Sequence, residues 1–276
     1  MTVDLTRADG IATITLNRPR ALNAFDTEQL KRLLAALEEV RGDRTVRCLI
    51  VTGSGEKAFA AGADIREMAD LSPRAGLDFG RLGHAVTATL EHLPQPTIAA
   101  VNGYAFGGGC ELALACDIRL AAENAQFAQP EVSLGIPPGW GGSQRLARII
   151  GPGRAAELIF TGRRVAADEA FRIGLVNAVY PAEKLMAEAM TLAGQIAANS
   201  PTAVRAAKRA LSLALAGNPA SGLDAELTFF GQAFGTPDQQ EGMRAFVEKR
   251  KATFSDGEDE SPSPKKRSVA VRGAND

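Results

Sequence analysis

Short apolar segments alternate with helical patterns in the first half of the chain, and this alternation restricts the folds open to it. Val46–Thr52, Thr97–Val101 and Ile118–Ala121 are short runs of apolar and β-branched residues, which indicates buried strands. Helical spacing lies between them, and strands joined by helical crossovers pair in parallel. The sequence therefore predicts an α/β fold built on a parallel sheet.

The N-terminal segment has the pattern of a hairpin that leads into a helix. Val3–Arg7 and Ile11–Leu16 alternate in polarity around Asp9-Gly10, a pair typical of tight turns. Asp26 is placed to cap the next helix, with Gln29 three residues later as its capping-box partner. We expect both halves of that capping box to form.

The later part of the chain is mostly helical in pattern. Helices are predicted at 64–70, at 73–92 and from about Gly108 to Cys116, and the region from about 139 to 250 is nearly all helix. One short strand is predicted there, at Leu175–Val179. Prolines favour first helical turns, and five of them punctuate this region: Pro152, Pro181, Pro201, Pro219 and Pro237.

Composition excludes several classes of function. The chain has 276 residues, 45% of them hydrophobic, and a net charge of -1, so no strong field favours nucleic acid or an anionic membrane as partner. No apolar run approaches the ~18 residues that span a bilayer, and no secretory signal is visible. The three cysteines, Cys48, Cys110 and Cys116, lie in apolar surroundings. We expect buried thiols, a reducing compartment and hence the cytoplasm.

Common catalytic and cofactor motifs are missing from the sequence. It contains no dinucleotide-binding fingerprint, no P-loop and no nucleophile elbow. The two histidines, His84 and His92, lack the company that a metal site needs, and we expect both on a helix surface. No metal is predicted.

Three segments carry candidate chemistry. In Asn102–Glu111, three consecutive glycines lie between a strand and a helix, where free N–H groups suit an anion or a carbonyl oxygen that gains negative charge. A tight packing turn explains the same residues. Gln129–Gly142 places Glu131 before a stretch rich in glycine and proline, although a lone loop glutamate is usually a solvated charge. Lys57–Ile65 is rich in small residues and ends at Asp64, a candidate helix cap.

These segments together resemble the enoyl-CoA hydratases of the crotonase superfamily. The likeness runs from about residue 3 to Phe254, and it rests on the order and spacing of four motifs: Ala58–Ile65, Ile98–Ala105, Gly107–Ala113 and Gln129–Glu131. The resemblance implies a spiral of ββα turns over residues 1–195. It implies a C-terminal helical region over 196–254 that builds a homotrimer or a homohexamer.

The resemblance also implies a mechanism. The backbone N–H groups of Ala63 and Gly108 would hold the thioester oxygen of an acyl-CoA substrate. Glu111 would orient and deprotonate water, and Glu131 would give a proton to the α-carbon. The N–H of Gly139 would help to hold the water. No cofactor is implied, because coenzyme A is part of the substrate.

Further positions implied by the resemblance would contact the substrate. Ala61, Asp64, Ile65 and Arg66 fall where the family places coenzyme A, although an exposed helix arginine explains Arg66 equally well. Trp140 is bulkier than the residue common there, and it either reshapes the acyl pocket or simply packs.

Alternatives remain open at the level of sequence. An enoyl-CoA isomerase needs one carboxylate, so the presence of both glutamates favours a hydratase. Other acyl-CoA-processing members replace one or both glutamates, and a non-catalytic RNA-binding member fits poorly with the near-neutral charge. The residues leave open the acyl-chain length, the pathway and the choice between trimer and hexamer.

The last residues, 255–276, lie outside the resemblance. Acidic residues, Ser-Pro repeats and the basic cluster Lys265-Lys266-Arg267 follow one another there with little apolar content, which predicts a disordered tail. A nuclear-import patch is the other interpretation of its basic cluster.

Overall fold

The computed structural model describes residues 2–214 and 219–255. The tail prediction falls almost entirely on 256–276, outside the described residues. Within these bounds the strands are β1 Val3–Ala8, β2 Ile11–Leu16, β3 Cys48–Gly53, β4 Ala58–Ala60, β5 Thr97–Val101, β6 Tyr104–Phe106, β7 Ile118–Ala122, β8 Gln126–Ala128, β9 Val165–Ala166 and β10 Ala178–Tyr180.

The helices of the described residues dominate the second half of the chain. They are α1 Thr27–Gly42, α2 Ile65–Met68, α3 Pro73–Glu91, α4 Gly108–Leu114, α5 Gly142–Ile150, α6 Pro152–Thr161, α7 Ala167–Arg172, α8 Leu185–Ala197, α9 Pro201–Ala214, α10 Pro219–Ala233 and α11 Pro237–Val247. Four of the five flagged prolines begin helices, as predicted. Pro181 instead begins the turn that leads into α8.

The strands form two sheets, and the chain alternates between them. The larger sheet has the order β1-β2-β3-β5-β7-β10 and the smaller one β4-β6-β8-β9. From β3 to β8 each consecutive strand joins the other sheet, and strands within each sheet pair in parallel along this stretch. Each turn of the chain thus adds one strand to each sheet, which is a ββα spiral and confirms the predicted fold class.

Most of the larger sheet follows the sequence prediction. The hairpin pairs Val3 with Leu16 and Ala8 with Ile11, and Asp9 and Gly10 both have the positive φ that its turn requires. The strand predicted at Leu175–Val179 begins too early in the sequence, because the observed strand is β10, at Ala178–Tyr180. The N–H of Leu175 bonds to the carbonyl of Ala170 at 2.8 Å, which closes helix α7 and delays the strand.

Only half of the capping box predicted at the start of α1 is formed. The Asp26 carboxylate accepts the N–H of Gln29 at 2.7 Å, as predicted. The Gln29 side chain does not return to Asp26, because its amide donates to the carbonyl of Thr2 at 3.2 Å. The residue therefore ties the helix to the first strand.

The larger sheet is buried on both faces, which explains why its central strands are apolar at nearly every position. Leu49, Val51 and Val101 face the main core. Cys48 and Ile50 face a second layer, where helix α8 covers the sheet. A parallel sheet covered on both sides has this pattern.

An ion pair between a buried lysine and an exposed aspartate joins the first of the C-terminal helices to the spiral. Lys208 on α9 lies 2.7 Å from the carboxylate of Asp117 and donates to the carbonyl of Gln95 at 2.9 Å. Large apolar side chains nevertheless remain exposed on α9, α10 and α11 and directly after α10: Leu211, Leu223, Leu227, Phe230, Phe234, Met243, Phe246 and Val247. None of the helices among residues 2–214 and 219–255 has the length and apolarity needed to cross a membrane.

Candidate active site

A cavity of about 340 Å³ opens at one edge of the smaller sheet. The parallel strands β4, β6 and β8 end there, and the residues that follow each strand line the cavity. The carboxyl edge of parallel strands is a common place for ligand sites. Eight of the ten predicted site residues line it: Ala61, Ala63, Ile65, Gly108, Glu111, Glu131, Gly139 and Trp140.

The remaining two predicted site residues lie outside the cavity lining. The Asp64 carboxylate caps α2 by accepting the N–H of Arg66 at 3.1 Å, and it also accepts a hydrogen bond from Arg18 at 3.2 Å. The Arg66 side chain is exposed on the surface of α2. The structure therefore gives Asp64 a local structural role and leaves Arg66 at the surface.

The glycine run after β6 brings backbone and side chains into close contact. Gly107 has a φ of +49°, and a Cβ there would lie 3.0 Å from a carboxylate oxygen of Glu131. A Cβ on Gly108 would lie 2.2 Å from the Trp140 ring, and one on Gly109 would lie 2.0 Å from the carbonyl of Ala60. The close packing of this run is therefore confirmed, and Gly107 and Gly108 also line the cavity.

The backbone of Ala63 and that of Gly108 are brought side by side. A Cβ on Gly62 would lie 3.6 Å from the nitrogen of Gly108, so the two segments are in contact. Helix α4 begins at Gly108, whose N–H has no acceptor within its own helix. Both residues line the cavity, and together they can offer donors to a carbonyl oxygen.

Glu111 is almost completely buried and is held by backbone donors. Its Oε1 accepts the N–H of Trp140 and the N–H of Gly142, each at 2.7 Å. Burial raises the pKa of this carboxyl, while the two N–H groups and the charge of Arg145 lower it. The net pKa is raised, and the two N–H hydrogen bonds stabilise the ionised form against the effect of burial.

Glu131 has a different environment. It begins the 3₁₀ turn Glu131–Leu134 and is 8% exposed. Its Oε2 is buried and has no hydrogen-bond partner among the described residues. Burial first, and then the charge of Glu111, raise its pKa to about 7. A carboxyl with that pKa exchanges protons readily at neutral pH.

Trp140 both packs and lines the cavity. Its ring lies 5.7 Å from the ring centroid of Phe25 and 5.7 Å from that of Phe79, and Gly83 on α3 leaves room for it, since a Cβ there would lie 2.1 Å from the indole. The indole is 5% exposed. Its position beside Gly108 makes it one wall of the site.

Sequence reasoning missed the contribution of helix α3. Gly76, Phe79 and Gly80 line the cavity, and Gly83 receives the indole. Glycines four and three residues apart on one helix face leave room for close approach, and that spacing is visible in the sequence. This glycine spacing could therefore have indicated from the sequence that one face of α3 packs closely against another part of the protein.

Other reactive groups lie apart from this chemistry. Cys48, Cys110 and Cys116 are buried free thiols, and burial raises the pKa of each to about 12. Within the described ranges no three histidine, cysteine or acidic side chains group to hold a metal. His84 and His92 are exposed on or next to α3, as predicted.

The fold and the cavity together define a class, a ββα spiral whose strand ends join a helix N-terminus to two buried carboxyl groups. The family model described as enoyl-CoA hydratase/isomerase matches residues 6–257. The chain belongs to the enoyl-CoA hydratase/isomerase family.

Curated relatives and solved structures agree with this assignment. The chain is 48% identical to a short-chain-enoyl-CoA hydratase from Clostridium acetobutylicum, over 90% of this chain and 95% of that protein. It is 48% identical to a crotonyl-CoA hydratase from Syntrophomonas wolfei, over 91% and 96%. It is similar to a solved enoyl-CoA hydratase from Bacillus anthracis, with a TM-score of 0.91, 41% identity and coverage of 93% and 100%.

Proposed function

We propose that this protein is an enoyl-CoA hydratase, which adds water reversibly to trans-2-enoyl-CoA and gives 3-hydroxyacyl-CoA. The observation that carries the proposal is the pair of carboxyl groups, Glu111 and Glu131, on one cavity that also contains the N-terminus of α4. Adding water across a carbon–carbon double bond requires one proton to be taken and another to be given. Two carboxyl groups in different environments suit that pair of transfers.

The reaction proceeds through an enolate. The Glu111 carboxylate takes a proton from water as the oxygen attacks C3, and the electrons of the C2–C3 double bond move to the thioester oxygen. The N–H groups of Ala63 and Gly108 stabilise the charge on that oxygen. Glu131 then gives its proton to C2 on the same face, and proton exchange between the two carboxyl groups and solvent restores the starting state.

The electrostatics of the site support this division of roles. Glu111 receives two backbone hydrogen bonds, which favour a carboxylate able to accept a proton. Glu131 has an unpaired buried oxygen and a pKa of about 7, so a large fraction carries a proton at neutral pH. The reverse reaction uses the same groups in the opposite sense.

Substrate contacts follow from the cavity lining. We propose that Ala61 and Ile65 contact the acyl-CoA substrate and that the N–H of Gly139 helps to hold the water. Asp64 and Arg66 are proposed to bind coenzyme A, with the exposed guanidinium of Arg66 meeting a phosphate. All proton transfers come from the chain's own residues, so the only coenzyme involved is the one that the substrate carries.

We further propose that the protein acts as a trimer or hexamer in the reducing cytoplasm. The row of exposed apolar side chains on α9–α11 supports assembly, and the three free buried thiols suit a reducing compartment. The boundary near residue 196 would then separate the spiral from the helices that join subunits.

The test follows the ultraviolet absorbance of the conjugated thioester in crotonyl-CoA and in longer 2-enoyl-CoA thioesters. The proposal predicts loss of absorbance and formation of 3-hydroxyacyl-CoA. If no chain length reacts, the hydratase proposal fails. If 3-enoyl-CoA is converted to 2-enoyl-CoA and no water is added, the protein is an isomerase instead.

A further inference from the structure

The turn formed by residues 140–142 donates the hydrogen bonds that hold Glu111. The conformation of this turn depends in turn on contacts with other side chains. The N–H groups of Trp140 and Gly142 both point at one oxygen of Glu111. The peptide unit between Trp140 and Gly141 lies between these two donors. Its orientation decides whether both N–H groups can reach the same carboxylate oxygen.

Two buried side chains hold that peptide unit by its carbonyl. The hydroxyl of Thr87 donates to the carbonyl of Trp140 at 2.9 Å, and Nη1 of Arg145 donates to the same oxygen at 2.9 Å. Thr87 lies on α3 and is fully buried, while Arg145 lies on α5 and is 9% exposed. The carbonyl is therefore fixed from two helices at once.

A third residue orients the arginine. Glu91, the last residue of α3, accepts Nη2 of Arg145 at 2.6 Å and its Nε at 3.2 Å. A Cβ on Gly141 would lie 2.2 Å from Nη1 of the arginine, and the φ of Gly141 is +103°. Only glycine lets the guanidinium approach the turn this closely. Thr87, Glu91 and Arg145 are called the Trp140 clamp below.

We propose that the Trp140 clamp positions Glu111 for the hydration reaction, with Arg145 as its principal positioning residue. None of the three clamp residues lines the cavity, so they act through the 140–142 turn and never touch substrate. This inference rests on the proposed function for its kinetic test. The geometry of the clamp does not depend on it.

The pKa of Glu111 depends on the charges that face this carboxyl, so it can reveal the effect of the clamp where a simple loss of packing would leave it unchanged. Arg145 acts on Glu111 from α5 and lowers its pKa. Glu131 faces it from the 3₁₀ turn, with a like charge when ionised, and Cys110 is its neighbour on α4, neutral because its own pKa is about 12. The negative charge of Glu91 partly offsets the positive charge of Arg145. Without the arginine charge, the pKa of Glu111 rises.

The kinetic test compares Arg145→Gln, Arg145→Lys and Thr87→Val with the wild type. Arg145→Gln should lower kcat by on the order of tenfold and leave KM near its wild-type value. It should also shift the acidic limb of the pH profile to higher pH. Arg145→Lys should return the limb towards its wild-type position while recovering kcat only in part. Thr87→Val should lower kcat and leave the limb in place. Arg7→Gln, which breaks a surface pairing with Glu39 and Asp43, is the matched control.

A second measurement separates failure of the clamp from failure of the proposed function. The carboxyl of Glu111 is titrated by ¹³C NMR in glutamate-labelled protein, with its signal assigned by its loss in Glu111→Gln. Its pKa should rise in Arg145→Gln. If Arg145→Gln fails to fold, the chemical shift and linewidth of the same signal are compared in Glu91→Gln and Thr87→Val, where they should change because the 140–142 turn loses part of its support. An unchanged signal in the folded variants overturns the clamp even if the wild type is an active hydratase. If the wild type hydrates nothing, the proposed function fails while this titration still decides the clamp.

Discussion

Replacing Glu131 by glutamine should stabilise the protein at alkaline pH while removing a group that the proposed reaction needs. Folding raises the pKa of this carboxyl from 4.5 to about 7, mainly through burial. Between these values the folded state binds more protons than the unfolded state, so stability falls as pH rises through this window and stays lower above it. A buried carboxyl that has to ionise therefore destabilises the fold.

The size of this destabilisation follows from how far folding raises the pKa of Glu131. The difference between about 7 and 4.5 is about 2.5 pKa units, and at about 1.4 kcal/mol per unit this is about 3 kcal/mol. Glutamine has the same shape and stays neutral, so it removes this cost. Any constant difference in hydrogen bonding between the two side chains is the same at every pH and does not enter the comparison.

The assay is urea unfolding followed by circular dichroism at pH 4.5, 6 and 8. All samples are held at one subunit concentration, because assembly would shift apparent stability. The advantage of Glu131→Gln over the wild type should grow by about 3 kcal/mol between pH 4.5 and pH 8. Glu56→Gln, at an exposed glutamate, should show no such trend. A pH-independent difference for Glu131→Gln, or an advantage that shrinks with rising pH, would refute the reasoning.

Four further outcomes are expected. The hydration rate kcat/KM should fall above about pH 7 as Glu131 loses its proton, and a rate that keeps rising to pH 9 would contradict its role as the acid. Trp140→Ala should cost about 3–5 kcal/mol in urea unfolding and raise the relative kcat/KM for longer enoyl-CoA thioesters; an unchanged chain-length preference would mean that the indole only packs. Lys208→Met should cost about 1 kcal/mol, because the ion pair that it removes has a solvent-screened partner, the Asp117 carboxylate with 33% of its side chain exposed, and a cost near zero would contradict this anchor for α9. Phe246→Ser should lower the oligomer fraction in analytical ultracentrifugation, since this ring is 85% exposed in the single chain, and an unchanged sedimentation profile would exclude it from the interface.

The parallel sheet could be predicted because its strands are apolar on both faces. Runs such as Thr97–Val101 report that burial directly. The strands of the smaller sheet were not found, because β4, β6 and β8 have only three residues each. So short a segment shows no periodicity, and its pairing partners are distant in sequence.

The candidate site could be predicted as a set of residues but not as a geometry. Glu111 and Glu131 are twenty positions apart in the sequence, and only the motif order suggested that they meet. The hydrogen bonds from Trp140 and Gly142 to Glu111 depend on a turn whose shape is set by Thr87 and Arg145. Contacts of that kind join residues from three elements, and no local pattern encodes them.

The most direct test of the proposed reaction is the rate of crotonyl-CoA hydration in the wild type, in Glu111→Gln and in Glu131→Gln, each checked for fold by circular dichroism. The two-carboxylate mechanism predicts that each substitution lowers the rate by orders of magnitude, while Glu56→Gln retains it. If Glu111→Gln keeps the full hydration rate while Glu131→Gln loses it, a single carboxylate carries the proton and the mechanism proposed here is wrong.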